Sequence, residues 1–235
     1  MKNLLLLILA CTLSLNSHAE GKTGTVTTTF QLRAENAKGA QLRSQAIELV
    51  SMVTAKRFAV ADQRAIELRS AYEATFDTKL KQYTFQSQAE FDEFTKASVA
   101  KFEWIDWGYK ECLQMQAFMA AERRDFPTAL AILKKIELLA PVSASVSVEK
   151  GYVLNQLGKS NEGLSAYRRA HDLSLRYASQ RPYRAVALRG MGFALIDLKQ
   201  LAEAERIYLE SLEIEPGNKV ALNELAYIRD LRSSK

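Results

Sequence analysis

The stretch that decides the fold is residues 185–218, AVALRGMGFALIDLKQLAEAERIYLESLEIEPGN, the clearest of three similar segments. Its marked residues are Leu188, Gly192, Leu195, Ala204, Tyr208 and Pro216, at positions 4, 8, 11, 20, 24 and 32 of a 34-residue unit. Apolar residues at this spacing predict helices, and Pro216 ends the second one. Small residues at positions 8 and 20 predict two closely packed helices, with the larger residue at position 24 filling the space beside them.

Two further units align upstream in the same register. The unit starting near Ala144 matches at Gly151, Leu154, Leu157, Gly158, Tyr167 and Ala170, and the unit starting near Lys110 matches at Ala117, Ala120, Phe126, Ala129 and Pro141. The middle unit is seven residues longer than the others. Residues 173–183 are therefore expected to extend its second helix by about two turns. Three units in register predict stacked helical hairpins.

This pattern resembles the tetratricopeptide repeat family over about half of the chain. It departs from the family in lacking tryptophan at position 4, in having Gly163 at position 20 of the middle unit, and in having Ser211 at position 27 of the last. The resemblance implies an all-α fold, an α-solenoid of tetratricopeptide-like helical hairpins over residues 110–218. Asn218 predicts the N-cap of a closing helix within residues 219–235.

Residues 40–109 are expected to form an N-terminal helical layer that packs on the repeats. Apolar residues recur there at helical spacing and predict three helices, but they show no repeat signature. Ser87 with Glu90 three residues later predicts a capping box at the start of the third helix, which carries Phe91, Phe94, Val99 and Phe102.

Residues 1–19 have the pattern of a signal peptide. An apolar run occupies residues 4–15, and the small residues Ser17 and Ala19 predict cleavage after Ala19. The expected location is periplasmic or secreted, with no stable membrane span after cleavage. Two alternatives remain open, a lipoprotein attached through Cys11 and an uncleaved membrane anchor.

Residues 20–39 are expected to be a flexible leader. Val26, Thr28, Phe30 and Leu32 alternate with polar residues, which also fits a short strand. The leader is favoured because no second strand-like segment exists to pair with it.

The composition excludes several classes of function. The 235 residues carry a net charge of +5, but bases and acids alternate along the chain, so we predict no nucleic-acid binding. Without the signal peptide, Cys112 is the one thiol, read as a small buried hydrophobe, and His171 the one imidazole, so a catalytic triad would depend on His171 alone. No paired metal ligands or phosphate-binding loop are present. We therefore predict no enzyme activity, no cofactor and no metal.

The resemblance also implies a binding surface, because in the family positions 2, 5, 9, 12 and 13 of each first helix line the concave groove. Position 9 is aromatic in all three units: Phe118, Tyr152 and Phe193. The other candidate groove residues are Gln114, Glu122, Asn155, Arg189 and Asp197. The lysine and asparagine pattern that binds a peptide carboxylate in chaperone-binding members is absent. Either the rings anchor a partner, or the N-terminal helices fill the groove.

The sequence therefore predicts an exported protein-binding adaptor or scaffold whose partner is another protein or a peptide. The alternatives are a structural homo-oligomer assembled by stacking of the repeats and a non-catalytic subunit of an envelope enzyme.

Overall fold

The computed structural model describes residues 37–96 and 101–233, in two units that divide after Val142. The first unit contains α1 (Arg43–Thr54), α2 (Phe58–Glu73), β1 (Lys81–Tyr83), α3 (Gln88–Thr95), β2 (Phe102–Trp104), α4 (Trp107–Glu122) and α5 (Phe126–Leu139). The second contains α6 (Ala144–Gln156), α7 (Ser160–Arg176), α8 (Arg184–Asp197), α9 (Leu201–Ile214) and α10 (Lys219–Ser233). The predicted signal peptide and most of the predicted leader lie outside the described residues.

The predicted helical-hairpin fold is confirmed. In each of the three sequence repeats, the first helix ends at position 13. The second helix begins at position 17, at Phe126, Ser160 and Leu201. Within each pair, α4 packs on α5, α6 on α7 and α8 on α9. Asn218 caps α10 as predicted, because its side-chain oxygen accepts the N–H of Val220 at 3.1 Å.

The turn inside each hairpin has one geometry. A residue of positive φ stands at position 15 in every repeat: Arg124 (62°), Gly158 (72°) and Lys199 (60°). The N–H of the following residue then donates to the carbonyl at position 11. In the last repeat, for example, the N–H of Gln200 donates to the carbonyl of Leu195 at 2.8 Å. This closure satisfies carbonyls at the end of the first helix and turns the chain back on itself.

A fourth hairpin shares this turn, although the sequence showed no repeat signature there. Lys56, between α1 and α2, has φ 58°, and the N–H of Arg57 donates to the carbonyl of Met52 at 2.9 Å. The sequence of this hairpin differs from the repeats because the large and small residues are exchanged. The large Leu49 stands at position 8, where the repeats carry a small residue, and the small Ala65 stands at position 24, where they carry a large one. Both are buried, and the hairpin packs on α4.

The left-handed turn residue makes a testable difference. Lys199→Gly should raise the free energy of unfolding by about 1 kcal/mol, because an L side chain is strained at positive φ. Gly158→Ala should lower the same quantity by about 1 kcal/mol through backbone strain alone, since a Cβ at Gly158 would meet open space. Urea denaturation of the two variants measures both effects. Equal stability of all three proteins would contradict the turn geometry.

The prediction of three helices within residues 40–109 was wrong in part, because it missed a two-stranded parallel sheet. β1 pairs with β2, with Lys81 opposite Phe102 and Tyr83 opposite Trp104. The third helix ends at Thr95, so Phe102 lies in a strand. Phe102 instead joins a cluster of aromatic rings around the buried Phe85, whose other members are Tyr83, Phe91, Phe94 and Trp104.

The predicted capping of α3 is confirmed in its first half. Ser87 Oγ accepts the N–H of Glu90 at 3.1 Å. The Glu90 carboxylate, however, accepts the N–H of Gln86 at 2.7 Å, one residue earlier than a capping box requires.

The predicted two-turn extension of the second helix in the middle repeat was wrong in extent: α7 has 17 residues, three more than the 14 of α5 or α9. α7 ends at Arg176, and a 3₁₀ helix covers Ala178–Tyr183. Tyr177 is extended between them, with φ −111° and ψ 120°, which stops the α-helix. The inserted segment then returns to the start of α6, because Gln180 Oε1 accepts the N–H of Ala144 at 2.9 Å.

In the last two repeats, tyrosine at position 24 fills the space beside the two closely packed helices of its hairpin, as the spacing predicted. A Cβ on Gly151 would lie 2.8 Å from the ring of Tyr167, and a Cβ on Gly190 would overlap the same ring. In the last repeat, a Cβ on Gly192 would lie 2.6 Å from the ring of Tyr208. Only glycine leaves room for these buried rings, so the repeat pattern records close packing between helices.

Candidate functional site

The first helices of the two hairpins in the second unit, α6 and α8, pack against each other. Their inner positions are divided in exposure. At positions 2 and 5 the side chains are buried, whereas position 9 is half-buried in both helices, at Tyr152 and Phe193. The partly or fully accessible residues, here called the accessible inner face, are Tyr152, Gln156, Phe193, Ile196 and Asp197.

Arg189, a candidate groove residue, is directed into the protein. Its side chain is 1% exposed, and its Nη1 donates to Glu215 Oε2 at 2.7 Å. The Asn218 side-chain amide donates to the same carboxylate oxygen at 3.0 Å. Arg189 therefore connects α8 to the turn that precedes the closing helix α10, and it lies apart from the accessible inner face.

Asn155, the second polar candidate on these helices, is also buried. Its side-chain oxygen occupies the space where a Cβ on Gly163 would stand. This contact explains why the middle repeat has glycine at position 20, where the other repeats have alanine. Neither polar atom of the Asn155 amide has a hydrogen-bond partner among the described residues.

The acidic candidates lie at the ends of their helices. Asp197, the last residue of α8, is exposed and accepts a hydrogen bond from Ser160 Oγ at 3.1 Å. Glu122, the last residue of α4, is exposed as well. Asp197 belongs to the accessible inner face. Glu122 lies in the other structural unit, the one that ends at Val142.

The remaining candidates, Gln114 and Phe118, lie on α4 in the first unit. Gln114 is fully buried and Phe118 is only 7% exposed. The structure thus places two of the three predicted rings, Tyr152 and Phe193, where a partner can reach them. Gln156 and Ile196 are also accessible, and they stand at groove positions 13 and 12 of their repeats.

The reactive groups named from the sequence are Cys112 and His171. Cys112 is buried as predicted, and its thiol donates to the carbonyl of Ala65 at 3.3 Å. Burial raises the pKa of Cys112 to about 12, which keeps the thiol protonated and unreactive. His171 lies between two carboxylates, with Nε2 3.9 Å from Glu210 Oε1 and Nδ1 3.9 Å from Asp172 Oδ1.

The described part of the chain holds neither a metal-binding cluster nor a membrane-spanning helix. Over residues 37–96 and 101–233, no group of three His, Cys, Asp or Glu side chains is placed to hold a metal ion. Within those same ranges, every helix is too short or too polar to cross a membrane.

Hairpins with a common turn, tyrosine-on-glycine packing and a capping helix define a helical-repeat protein. Residues 142–215 match the family model described as tetratricopeptide repeat. The predicted resemblance to this family is therefore confirmed over these residues.

The solved structures similar to this chain include three tetratricopeptide domains. The first is "First TPR of Spaghetti (RPAP3) bound to HSP90 peptide SRMEEVD", 22% identical, with 53% of this chain and 93% of that chain covered and a TM-score of 0.47. The first TPR domain of human RPAP3 is 23% identical, with the same coverage and a TM-score of 0.48. The second TPR domain of human RPAP3, in complex with the HSP70 peptide SGPTIEEVD, is 20% identical, covering 50% and 92%, with a TM-score of 0.45. No curated protein sequence matches the chain.

Proposed function

We propose that this protein is an adaptor or scaffold, without catalysis of its own, that binds another protein or a peptide on the accessible inner face of α6 and α8. The observation that carries the proposal is the aromatic pair Tyr152 and Phe193, which occupy the same position in successive repeats and are both half-buried. Repeat proteins use such recurring positions to build an extended binding surface.

The physical state of the two rings suits this role. A half-buried ring is already held in position by its own helix, so little side-chain entropy is lost when a partner covers the rest of it. Aromatic residues surrounded by less critical polar contacts dominate the energetics of many protein interfaces. Gln156 and Asp197 supply polar groups beside the rings.

The test is affinity capture with matched variants. Tyr152→Ala with Phe193→Ala should abolish recovery of the specific partner, which is identified by mass spectrometry after capture from an envelope extract. Tyr227→Ala removes a more exposed aromatic ring on α10, outside the accessible inner face, and should leave recovery unchanged. Equal recovery with all three proteins would contradict the proposal.

The same variants address a second candidate, stacking of copies into a homo-oligomer. The observation in its favour is the set of exposed apolar residues on the last two helices: Leu209, Leu222 and Tyr227. Stacking predicts that Tyr227→Ala shifts the protein to a smaller species in sedimentation velocity. The adaptor proposal predicts no such shift.

Export is the second half of the proposal, and it rests on the sequence of residues 1–19. We expect cleavage after Ala19, so the intact mass of the exported protein should correspond to a chain beginning at Glu20. A mature protein that begins at an acylated Cys11 would contradict this and indicate a lipoprotein.

A further inference from the structure

A separate cavity of about 670 Å³ opens in the first unit, beside β1. Its walls are largely apolar and include Phe76, Tyr83, Leu138 and Leu139. Leu138, in the last turn of α5, is 77% exposed, more than any other large apolar residue in the described ranges. An apolar cavity of this size, with such a residue at its mouth, is typical of a binding site.

The cavity lies along an unpaired strand edge. The main-chain groups of Tyr83 face β2, since its carbonyl accepts the N–H of Ile105 at 2.8 Å. Main-chain groups alternate in direction along a strand, so those of Gln82 and Thr84 point to the opposite side. The Thr84 N–H donates there to the carbonyl of Leu139 at 2.9 Å, which places the end of α5 on this outer side. Within the described chain no strand lies beside β1 on that side, so the Gln82 N–H and carbonyl border the cavity.

The charges at the cavity favour an acidic ligand. Glu73 is already neutralised, because it accepts hydrogen bonds from Tyr109 Oη at 2.7 Å and Lys135 Nζ at 2.9 Å. Lys81, on the strand edge itself, is exposed and forms no ion pair with any described residue. The uncompensated charge at the mouth is therefore positive.

We propose that this edge binds an extended acidic peptide segment as an added strand, with one apolar side chain in the cavity and a carboxylate on Lys81. Pairing with the Gln82 main chain would fix the direction of the segment, and the cavity would select the apolar residue. This site is independent of the accessible inner face.

The test uses fluorescently labelled pentapeptides of the form Glu-Thr-X-Thr-Glu, where X is Leu, Ile, Phe, Tyr or Trp, and a matched set with Lys in place of Glu. Anisotropy titration of the full-length protein should show at least ~10-fold tighter binding of one or more acidic peptides than of their lysine counterparts. Lys81→Glu and Leu138→Ala should each weaken that binding by ~10-fold or more.

Two matched variants control for general effects. Lys219→Glu makes the same change of charge at an exposed lysine of α10, in the second unit, and Leu209→Ala truncates an exposed leucine of that unit. Both should bind the acidic peptides like the unaltered protein. Lys81→Gln removes the charge without adding an acid and serves if the glutamate variant does not fold.

Several results would overturn the inference. These are no binding of any acidic peptide, equal binding of the lysine set, or binding that Lys81 and Leu138 variants leave unchanged. Binding lost with Tyr152→Ala and Phe193→Ala would place the peptide on the inner face, which supports the proposed function and ends this inference. Sedimentation in which Leu138→Ala dissociates an oligomer would show that a second copy occupies the edge, and would overturn it as well.

Discussion

Replacing Asp106 by alanine is expected to lower the free energy of unfolding by about 3–5 kcal/mol, as removal of one partner of a buried ion pair does. Asp106 is buried, and one carboxylate oxygen accepts hydrogen bonds from Arg43 Nε at 2.9 Å and Arg43 Nη2 at 2.6 Å. The other accepts from Tyr72 Oη at 3.2 Å and from the N–H of Gly108 at 2.9 Å. One side chain thus connects α1, α2 and the start of α4. Its loss would leave a buried hydroxyl and a partly buried guanidinium without this partner.

Two variants show whether burial is responsible. Asp62→Ala removes the partner of Arg123, an arginine–aspartate pair of the same 2.6 Å separation that is exposed, and should cost less than ~1 kcal/mol. Asp106→Asn keeps the hydrogen-bonding oxygen near Gly108 but removes the charge, so it should lie between the two. Guanidinium denaturation measures all three. Equal losses for Asp106→Ala and Asp62→Ala would contradict the account.

The second large effect is expected at Tyr167, where alanine should lower the free energy of unfolding by about 3–5 kcal/mol. The ring is fully buried between α6 and α8, against Gly151 and Gly190. Its hydroxyl has no hydrogen-bond partner among the described residues, and burial raises its pKa. Tyr167→Phe should therefore leave stability unchanged or raise it, because the ring is kept and only an unsatisfied group is removed.

Gly190→Ala tests the same contact from the other side. Its added methyl group would overlap the Tyr167 ring and should cost about 1–3 kcal/mol through overpacking. Thermal melts of the three variants should give the order Tyr167→Ala, Gly190→Ala, Tyr167→Phe from least to most stable. A destabilised Tyr167→Phe together with a neutral Gly190→Ala would show that the hydroxyl, and not the ring packing, matters.

The sequence was most informative where one residue type has one physical use. Glycine opposite tyrosine, and proline after the second helix, gave the repeat register, because each reports a close contact or a helix end. The α1–α2 hairpin shares the turn but escaped prediction, since Leu49 and Ala65 exchange the large and small roles. The strands escaped because three residues are too few to show alternation.

The candidate site was harder to predict for a related reason. Helical spacing places Arg189 and Asn155 on the inner side of their helices, but it does not show what lies opposite. Arg189 meets Glu215, and Asn155 fills the space beside Gly163, so both are buried. Long-range partners of this kind decide burial, and a local pattern carries no information about them.

The proposed binding of a partner to the accessible inner face depends on Tyr152 and Phe193. Its most direct test is the dissociation constant of the captured partner, measured by calorimetry for Phe193→Ala, Tyr152→Ala and the Tyr227→Ala control, with melting temperatures recorded beside them. We expect each inner-face variant to weaken binding by at least ~10-fold, with the fold intact, and the control to match the unaltered protein. Unchanged affinity in both inner-face variants, or a loss that follows melting temperature alone, would contradict the claim.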